Sequence, residues 1–257
     1  MKKIIATILV AALPMFGHAA YPLDKVDIDL RDKAAMQDGL KTFANYCLGC
    51  HGMKFQRYER VATDLGISEE DMMENIVFSA DTKIGDHMRT SMTDDQAKKW
   101  FGVVPPDLTL VARVRGADWL YTYLRTFYAD PSRPMGANNM VFDNVGMPNV
   151  LIALQGNQVI DCKQVPLVEN GKKVFDPLTG APITEESCSE LVVQKGTGSM
   201  SEQEFDETVK NLVTFLEYSA NPVKLKSQRI GTYVLLFLVV FFVFAYLLKR
   251  EYWKDVK

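Results

Sequence analysis

Apolar residues recur at helical spacing in several separate stretches of the chain. In residues 36–47 the positions i, i+4, i+7, i+8 and i+11 are apolar, which is the pattern of an amphipathic helix with one buried face. Shorter stripes follow Ser68, which resembles a helix start, and run from 119 to 127. A Ser201–Glu204 capping box opens a further stripe, made of Phe205, Val209, Leu212, Val213 and Leu216. The pattern predicts a mainly α fold whose first and last helices bury one face each and cross.

One stretch near the C-terminus is apolar on every side. Residues 230–248 carry no charge. At about 1.5 Å per residue they span roughly 28 Å, the thickness of a hydrocarbon core. A buried core helix is the alternative, but it is disfavoured because the stretch has no polar face. Basic residues precede the stretch and also follow it, at Lys249, Arg250, Lys254 and Lys257. We predict a transmembrane anchor over residues 224–249 and a cytoplasmic tail over residues 250–257.

The N-terminus has the three parts of a secretory signal. Lys2 and Lys3 supply the positive end, residues 4–16 are apolar, and residues 17–19 are suited to a signal peptidase. An uncleaved anchor is the alternative, but the apolar run is too short to cross a bilayer. We predict a signal peptide over residues 1–19, with cleavage after position 19 or 20. Residues 20–223 are then expected in the periplasm, an oxidising compartment outside the bacterial inner membrane.

The domain between these two ends is acidic. The sequence has a formal net charge of −3, but nine of its 29 Lys and Arg residues and only two of its 32 Asp and Glu residues lie in residues 1–3 and 224–257. Residues 4–223 therefore carry a charge of about −10. This balance disfavours nucleic-acid binding. It agrees either with ordinary solubility or with electrostatic steering of a basic partner.

A Cys-x-x-Cys-His motif follows the first apolar stripe. The motif consists of Cys47, Cys50 and His51. Two thiols at this spacing can attach haem c through two thioether bonds, and the adjacent imidazole can then ligate the iron. A redox dithiol is the first alternative, but no βαβ pattern precedes the motif. A zinc site would need two more ligands, and Cys162 and Cys188 are distant in the sequence. Because the motif occurs once, we expect one covalent haem c.

The motif leaves the second axial ligand of the iron undecided. A thioether would close the second face and suit electron transfer, whereas an open face would suit an enzyme or a gas binder. Met147 stands out because it lies in a Gly-Met-Pro segment before an apolar run, and Met135, in a Pro-Met-Gly segment, is the runner-up. His87 lies in a polar stretch and is expected to be exposed. The other downstream methionines are expected to fill gaps in the core. They are Met88, Met92, Met140 and Met200.

The motifs in their order along the chain resemble the cytochrome c1 family. They are the signal, the early Cys-x-x-Cys-His, Pro105-Pro106-Asp107-Leu108 followed by Arg113-Val114-Arg115, the late Gly-Met-Pro, and a C-terminal span that ends in Leu-Lys-Arg-x-x-Trp. The resemblance covers nearly the whole chain. It implies a c-type cytochrome fold and the haem subunit of the quinol–cytochrome c oxidoreductase, the cytochrome bc1 complex.

The resemblance implies roles for three further positions. The family's sixth ligand is the methionine of a late Gly/Ala-Met-Pro/Ala segment, which falls on Met147. The family's Pro-Pro-Asp-Leu segment packs beside the haem, so that the carbonyl of Pro105 or Pro106 is placed to accept the proton on the far nitrogen of His51. The second Arg of the Arg-x-Arg falls on Arg115, a candidate partner for a haem propionate, with a plain surface position as the alternative.

One region departs from the mitochondrial form of the family. Cys162 and Cys188 bracket a stretch in which Asn170-Gly171 lies between apolar runs, which is a hairpin signal. Two spare cysteines in an oxidising compartment are expected to pair, and closing a loop of about 26 residues stabilises by roughly 3.5 kcal/mol on the chain-entropy model. We predict a Cys162–Cys188 disulfide that clamps a loop just after Met147 and helps to keep the thioether on the iron.

The expected fold is mainly α, of the c-type cytochrome class, with long haem-wrapping loops, a small β-hairpin and one C-terminal transmembrane helix. The resemblance implies an electron-transfer subunit, not an enzyme by itself. It is expected in the lipid bilayer beside a cytochrome b subunit, taking single electrons from a Rieske iron–sulfur subunit and passing them to a soluble or membrane-bound cytochrome c. Two alternatives stay open, a haem enzyme of the peroxidase type with an open distal site and a stand-alone tethered cytochrome c shuttle.

Overall fold

The computed structural model of the chain describes residues 21–169 and 172–255. The predicted signal peptide (residues 1–19) and the predicted Asn170-Gly171 turn lie outside these residues. The helices are α1 (Lys33–Tyr46), α2 (Tyr58–Leu65), α3 (Glu69–Asn75), α4 (Asp94–Phe101), α5 (Val111–Arg115), α6 (Ala117–Arg125), α7 (Ile152–Gln155), α8 (Glu202–Ala220) and α9 (Lys224–Tyr252).

The strands are short except in one place. They are β1 (Met53–Arg57), β2 (His87–Met88), β3 (Phe127–Ala129), β4 (Ala137–Asn139), β5 (Gln158–Pro166), β6 (Val168–Glu169), β7 (Lys172–Lys173) and β8 (Thr184–Val193). They pair antiparallel as β1 with β2, β3 with β4, β5 with β8, and β6 with β7. Helical residues outnumber strand residues in the described part of the chain, in agreement with the predicted mainly α fold.

The core lies where α1 crosses α8. The buried faces of the two helices are the stripes that the sequence predicts, and the rings of Phe43 and Phe215 meet there with their centroids 5.7 Å apart. Ser201 and Glu204 form the predicted capping box at the start of α8. The predicted crossing of the first and last helices of this domain is confirmed.

The predicted stripe over residues 119–127 is divided between two elements. Helix α6 ends at Arg125, and Phe127 begins β3, which pairs with β4. Phe127 is buried in a small second cluster with Ala137 and Val145. This cluster is apart from the main core and supports the loop that leads to Met147.

The largest difference from the predicted fold is a long β-ribbon where only a small hairpin was expected. Strands β5 and β8 pair from Gln158↔Val193 to Pro166↔Thr184, and the register shifts once between Asp161 and Lys163. The predicted disulfide is present and joins Cys162 to Cys188 across this ribbon. Most side chains of β5 are exposed or half-buried, so the strand lacks the alternation of buried and exposed positions that reveals a strand in a sequence.

The C-terminal helix α9 is longer than the predicted anchor, because it continues beyond residue 249 to Tyr252. It is long and apolar enough to cross a membrane by length and composition, and its most apolar part is not buried against the rest of the described chain. It starts only a few residues after α8, so the predicted anchor follows directly on one of the two core helices.

Candidate haem-binding site

The Cys-x-x-Cys-His motif lies at the C-terminal end of α1. The Cys47 amide donates to the carbonyl of Phe43 as the helix cap, and the amides of Cys50 and His51 donate to the Cys47 carbonyl at 3.0 and 2.8 Å. The motif therefore forms one tight turn that brings both thiols and the imidazole to the end of a core helix. Cys47 is buried and Cys50 is half-buried, and neither is in a disulfide.

The His51 ring is held by a backbone carbonyl. Its Nδ1 lies 2.7 Å from the carbonyl oxygen of Pro106. A carbonyl oxygen only accepts, so Nδ1 carries the proton and Nε2 keeps a lone pair that can bind iron. Of the two prolines that the resemblance left open, the structure places the carbonyl of Pro106 at the ring.

The loop that carries Pro106 is itself fixed by hydrogen bonds to the residues after the motif. Asp107 accepts from the amide of Lys54 at 2.7 Å, and the amide of Leu108 donates to the carbonyl of Gly52 at 2.9 Å. These contacts set the distance between the Pro106 carbonyl and the imidazole. They act as outer-shell support of the kind that orients ligating histidines.

Burial shifts the pKa values of the Cys47 thiol and the His51 imidazole in opposite directions. Burial raises the pKa of the Cys47 thiol to about 12, with the neighbouring Cys50 thiol adding to the rise. Burial lowers the pKa of His51, against the opposing effects of the Pro106 hydrogen bond and the Asp107 charge. At neutral pH the imidazole is therefore neutral, which is the form that ligates a metal.

Met147 lies half-buried after the second cluster. Its side chain packs against the cluster formed by Phe127, Ala137 and Val145. The hydroxyl of Tyr123 donates to the Met147 Sδ at 3.5 Å. Burial raises the pKa of Tyr123, so this hydroxyl is protonated at neutral pH.

The other candidate ligands have different surroundings. Met135 lies half-buried in the turn between β3 and β4. Met88 is fully buried opposite Met53 in the β1–β2 pair, as expected of a core residue. His87 was expected to be exposed, which is wrong. It is half-buried at the start of β2 opposite Arg57, and its Nδ1 is buried, because pairing of β2 with β1 partly covers the ring.

Arg115 is exposed at the end of α5. Its guanidinium lies over the ring of Trp119 at 4.8 Å and near that of Phe142 at 5.9 Å. Stacking on two rings orients the guanidinium without using its N–H donors. The group is therefore free to bind a carboxylate at this surface.

Two buried asparagines, neither of which was among the predicted site residues, organise the loop before Met147. The side-chain oxygen of Asn139 accepts from the amides of Val141 and Phe142 at 2.9 and 3.1 Å, and its Nδ2 donates to the carbonyl of Tyr123 at 2.7 Å. Asn138 accepts the amide of Asn144 at 2.9 Å. The sequence offered one signal, since asparagine pairs often form such local backbone hydrogen bonds in turns.

This set of residues fits haem c. Cys47 and Cys50 supply two thiols at the correct spacing on one turn, and the His51 ring is fixed with Nε2 available. Met147 offers a thioether in an apolar setting, and Arg115 offers a cation with unused donors nearby. The chemistry of these groups matches what a covalently bound haem requires.

Comparisons with known proteins agree with this assignment. A sequence model described as the Cytochrome C1 family matches residues 26–166 and 190–256. The chain is 48% identical to a cytochrome c1 of Allochromatium vinosum over 99% of both proteins. It is 41% identical to a protein of Nitrosomonas europaea named ammonia monooxygenase gamma subunit, over 100% of this chain and 98% of that protein. It is 23% identical to a cytochrome b/c1 of Bradyrhizobium diazoefficiens, over 87% of this chain and 34% of that protein.

The match to the family model skips residues 167–189. The skipped segment includes the first part of β8 with Cys188, whereas residues 190–193 at the end of β8 lie within the match, so the disulfide joins a matched part of the ribbon to an unmatched part. Outside this segment the match runs through the Cys-x-x-Cys-His motif, the Pro106 loop, Met147 and the C-terminal helix. The chain belongs to the Cytochrome C1 family, whose members carry one covalently bound haem c.

Proposed function

We propose that the chain is the membrane-anchored haem c subunit of a respiratory quinol–cytochrome c oxidoreductase, the cytochrome bc1 complex. Membership of the family carries the proposal in its general form. The observation in the structure that supports it best is the Pro106 carbonyl on the Nδ1 of His51, because it leaves one ring nitrogen for the iron and fixes its direction.

The roles of the site residues follow from their chemistry. Cys47 and Cys50 would hold the macrocycle through thioether bonds, and His51 and Met147 would ligate the iron. Arg115 would pair with a propionate. Haem c supplies a one-electron iron couple when it is bound. The hydrogen bond from His51 to Pro106 holds the imidazole in place, and the Tyr123 hydroxyl holds the Met147 sulfur.

Membrane topology and partners complete the proposal. Residues 1–19 direct export, residues 20–223 form the periplasmic haem domain, residues 224–249 cross the bacterial inner membrane once, and residues 250–257 are cytoplasmic. The cytochrome b subunit is the neighbour in the bilayer. A Rieske iron–sulfur subunit is the electron donor and a cytochrome c is the acceptor.

The charge of the haem domain supports a basic acceptor. Residues 4–223 carry about −10, and such a field raises the association rate of a cation-rich partner at low ionic strength. Electron transfer to a basic cytochrome c is expected to slow as salt rises, because screening shortens the range of this attraction. A rate that does not depend on salt would remove this role for that acceptor.

A different membrane partner is the second candidate. The relative named ammonia monooxygenase gamma subunit matches the full length of this chain at 41% identity. This favours a tethered cytochrome that serves an oxidoreductase other than the bc1 complex as the alternative. A peroxidase-type enzyme is disfavoured if Met147 ligates the iron as proposed, because a thioether ligand would leave no open distal site.

Gentle detergent extraction of native membranes tests the proposal. We expect co-purification with a cytochrome b and an iron–sulfur protein, and reduction of the haem c by a quinol in the purified complex. Isolation of the chain alone, or with a different oxidoreductase, would contradict it. A high-spin ferric spectrum would instead indicate an open sixth position and an enzyme.

A further inference from the structure

The hydroxyl of Tyr123 lies against the sulfur that is the proposed sixth ligand. It donates to the Met147 Sδ at 3.5 Å, within the range of hydrogen bonds to sulfur. A thioether sulfur has two lone pairs and is a weak acceptor. One lone pair can receive the hydroxyl proton while the other remains for a metal.

The Tyr123 ring cannot turn freely, because aromatic neighbours hold it on two sides. Trp119, one helical turn earlier on α6, stacks on it with centroids 4.7 Å apart and planes 12° apart. Phe127 meets it edge-on, with centroids 5.0 Å apart and an interplanar angle of 70°. The Tyr123 backbone is held in addition by the side chain of Asn139. The direction of the hydroxyl is therefore fixed by packing before any ligand binds.

We propose that Tyr123 is a positioning residue for the Met147 thioether, and that its hydrogen bond raises the reduction potential of the haem. This rests on the assignment of Met147 as the sixth ligand in the proposed function. The hydroxyl withdraws electron density from the sulfur, so the sulfur donates less to the iron. Ferric iron loses more stabilisation by this weaker donation than ferrous iron does, so the reduced state is favoured.

The test uses the full-length haem-loaded protein in detergent with Tyr123→Phe, which keeps the aromatic packing and removes only the hydroxyl. We expect the equilibrium constant for reduction to fall about threefold, which is a potential lower by roughly 28 mV for a one-electron couple. We also expect the thioether–iron charge-transfer band at the red end of the spectrum to persist at a shifted position. The matched control is Tyr121→Phe on the same helix, whose ring packs under the Arg125 guanidinium at 4.7 Å. It is expected to leave both the potential and the band unchanged.

A second measurement needs no substitution. In the unmodified protein, exchange of the hydroxyl proton for deuterium is expected to shift the iron–sulfur stretching frequency, because the sulfur accepts that hydrogen. A Tyr123→Phe variant with the potential and band position of the unmodified protein would overturn the proposal. The absence of a deuterium effect would do the same.

Met147→Leu separates this proposal from the one on which it rests. If Met147→Leu keeps the charge-transfer band, the ligand assignment is wrong and the role of Tyr123 falls with it. If Met147→Leu loses the band and Tyr123→Phe changes nothing, only the inference about Tyr123 is wrong.

Discussion

Gly39 lies against the backbone of Asn211 where α1 crosses α8. A Cβ at position 39 would be 2.1 Å from the carbonyl oxygen of Asn211 and 2.8 Å from the Cβ of Phe215. The helices therefore approach so closely that only glycine fits at this point. Because the haem motif begins at the end of α1, this contact also sets where the two thiols lie relative to the core.

Gly39→Ala is expected to lower the free energy of unfolding by about 2 kcal/mol, since overpacking at a backbone contact outweighs the gain in helix propensity. Denaturant unfolding of the full-length protein in detergent, followed by circular dichroism, measures this. Gly85→Ala is the control, because a Cβ at position 85 meets no atom within 4 Å. Equal stability of the two variants would show that the crossing tolerates a side chain.

Met147 and Met135 provide a direct comparison of the two candidate thioethers. Met147→Leu is expected to abolish the charge-transfer band and to lower the reduction potential strongly, because a thioether ligand favours ferrous iron. Met135→Leu, in the turn before β4, is expected to leave both unchanged. Visible spectroscopy and a redox titration of each variant decide between them. The reverse result would move the ligand to Met135.

The helices that form the core were predictable from the sequence, and the loops around the site were not. The stripes of α1 and α8 repeat at 3.6 residues and Ser201 opens a capping box, so local sequence determines these elements. The role of Asn139 depends instead on the Tyr123 carbonyl, 16 positions earlier in the chain. A hydrogen bond between elements this far apart in the sequence depends on the tertiary fold, and no periodic pattern indicates it.

The site itself was predictable only where spacing defines it. Cys47, Cys50 and His51 form one turn, so their spacing in sequence is their spacing in space. The Tyr123–Met147 contact joins α6 to a loop 24 positions later, and the helical spacing that places Tyr123 in an apolar stripe does not indicate it. The β-ribbon was underestimated because its strands are mostly polar and exposed.

The Cys162–Cys188 disulfide holds together a ribbon whose first strand is hydrogen-bonded to residues near Met147. The first residue of β5 is Gln158, whose Nε2 donates to the carbonyls of Phe127 at 2.7 Å and Arg125 at 3.0 Å. Movement of the ribbon would therefore be transmitted to the end of α6 and the start of β3.

Removal of the disulfide by Cys162→Ala with Cys188→Ala is expected to destabilise the fold by up to roughly 3.5 kcal/mol and to lower the potential by loosening Met147. Unfolding and a redox titration measure the two effects separately. Lys163→Ala, which removes an exposed ion pair with Glu190 on the same ribbon, is expected to cost less than about 1 kcal/mol. An unchanged potential and spectrum in the double variant would limit the disulfide to a structural role.

The segment of residues 24–26, here called the N-terminal strap, binds to α6 through backbone and side-chain contacts. Asp118 accepts from the Lys25 ammonium at 2.7 Å and from the Val26 amide at 3.0 Å. The amide of Asp24 donates to the Thr122 hydroxyl at 2.9 Å. The strap therefore covers the same short helix that carries Tyr123.

Because the strap contacts favour the carboxylate, stability is expected to fall in acid. The hydrogen bond from Lys25, followed by that from the Val26 amide, lowers the pKa of Asp118. When the pKa of a carboxyl is lower in the folded state than in the unfolded state, its ionisation stabilises the fold. This stabilisation is complete above the unfolded pKa, about 3.9 for Asp, and is lost as pH falls through the lower folded pKa. The thermal midpoint of the unmodified protein is thus expected to exceed that of Asp118→Asn at pH 6, and the difference to shrink below pH 4. Asp27→Asn, which removes an exposed carboxylate just after the strap, is the matched control for the loss of one negative charge. If the difference for Asp118→Asn stayed constant from pH 6 to pH 3, its charge would not be what holds the strap.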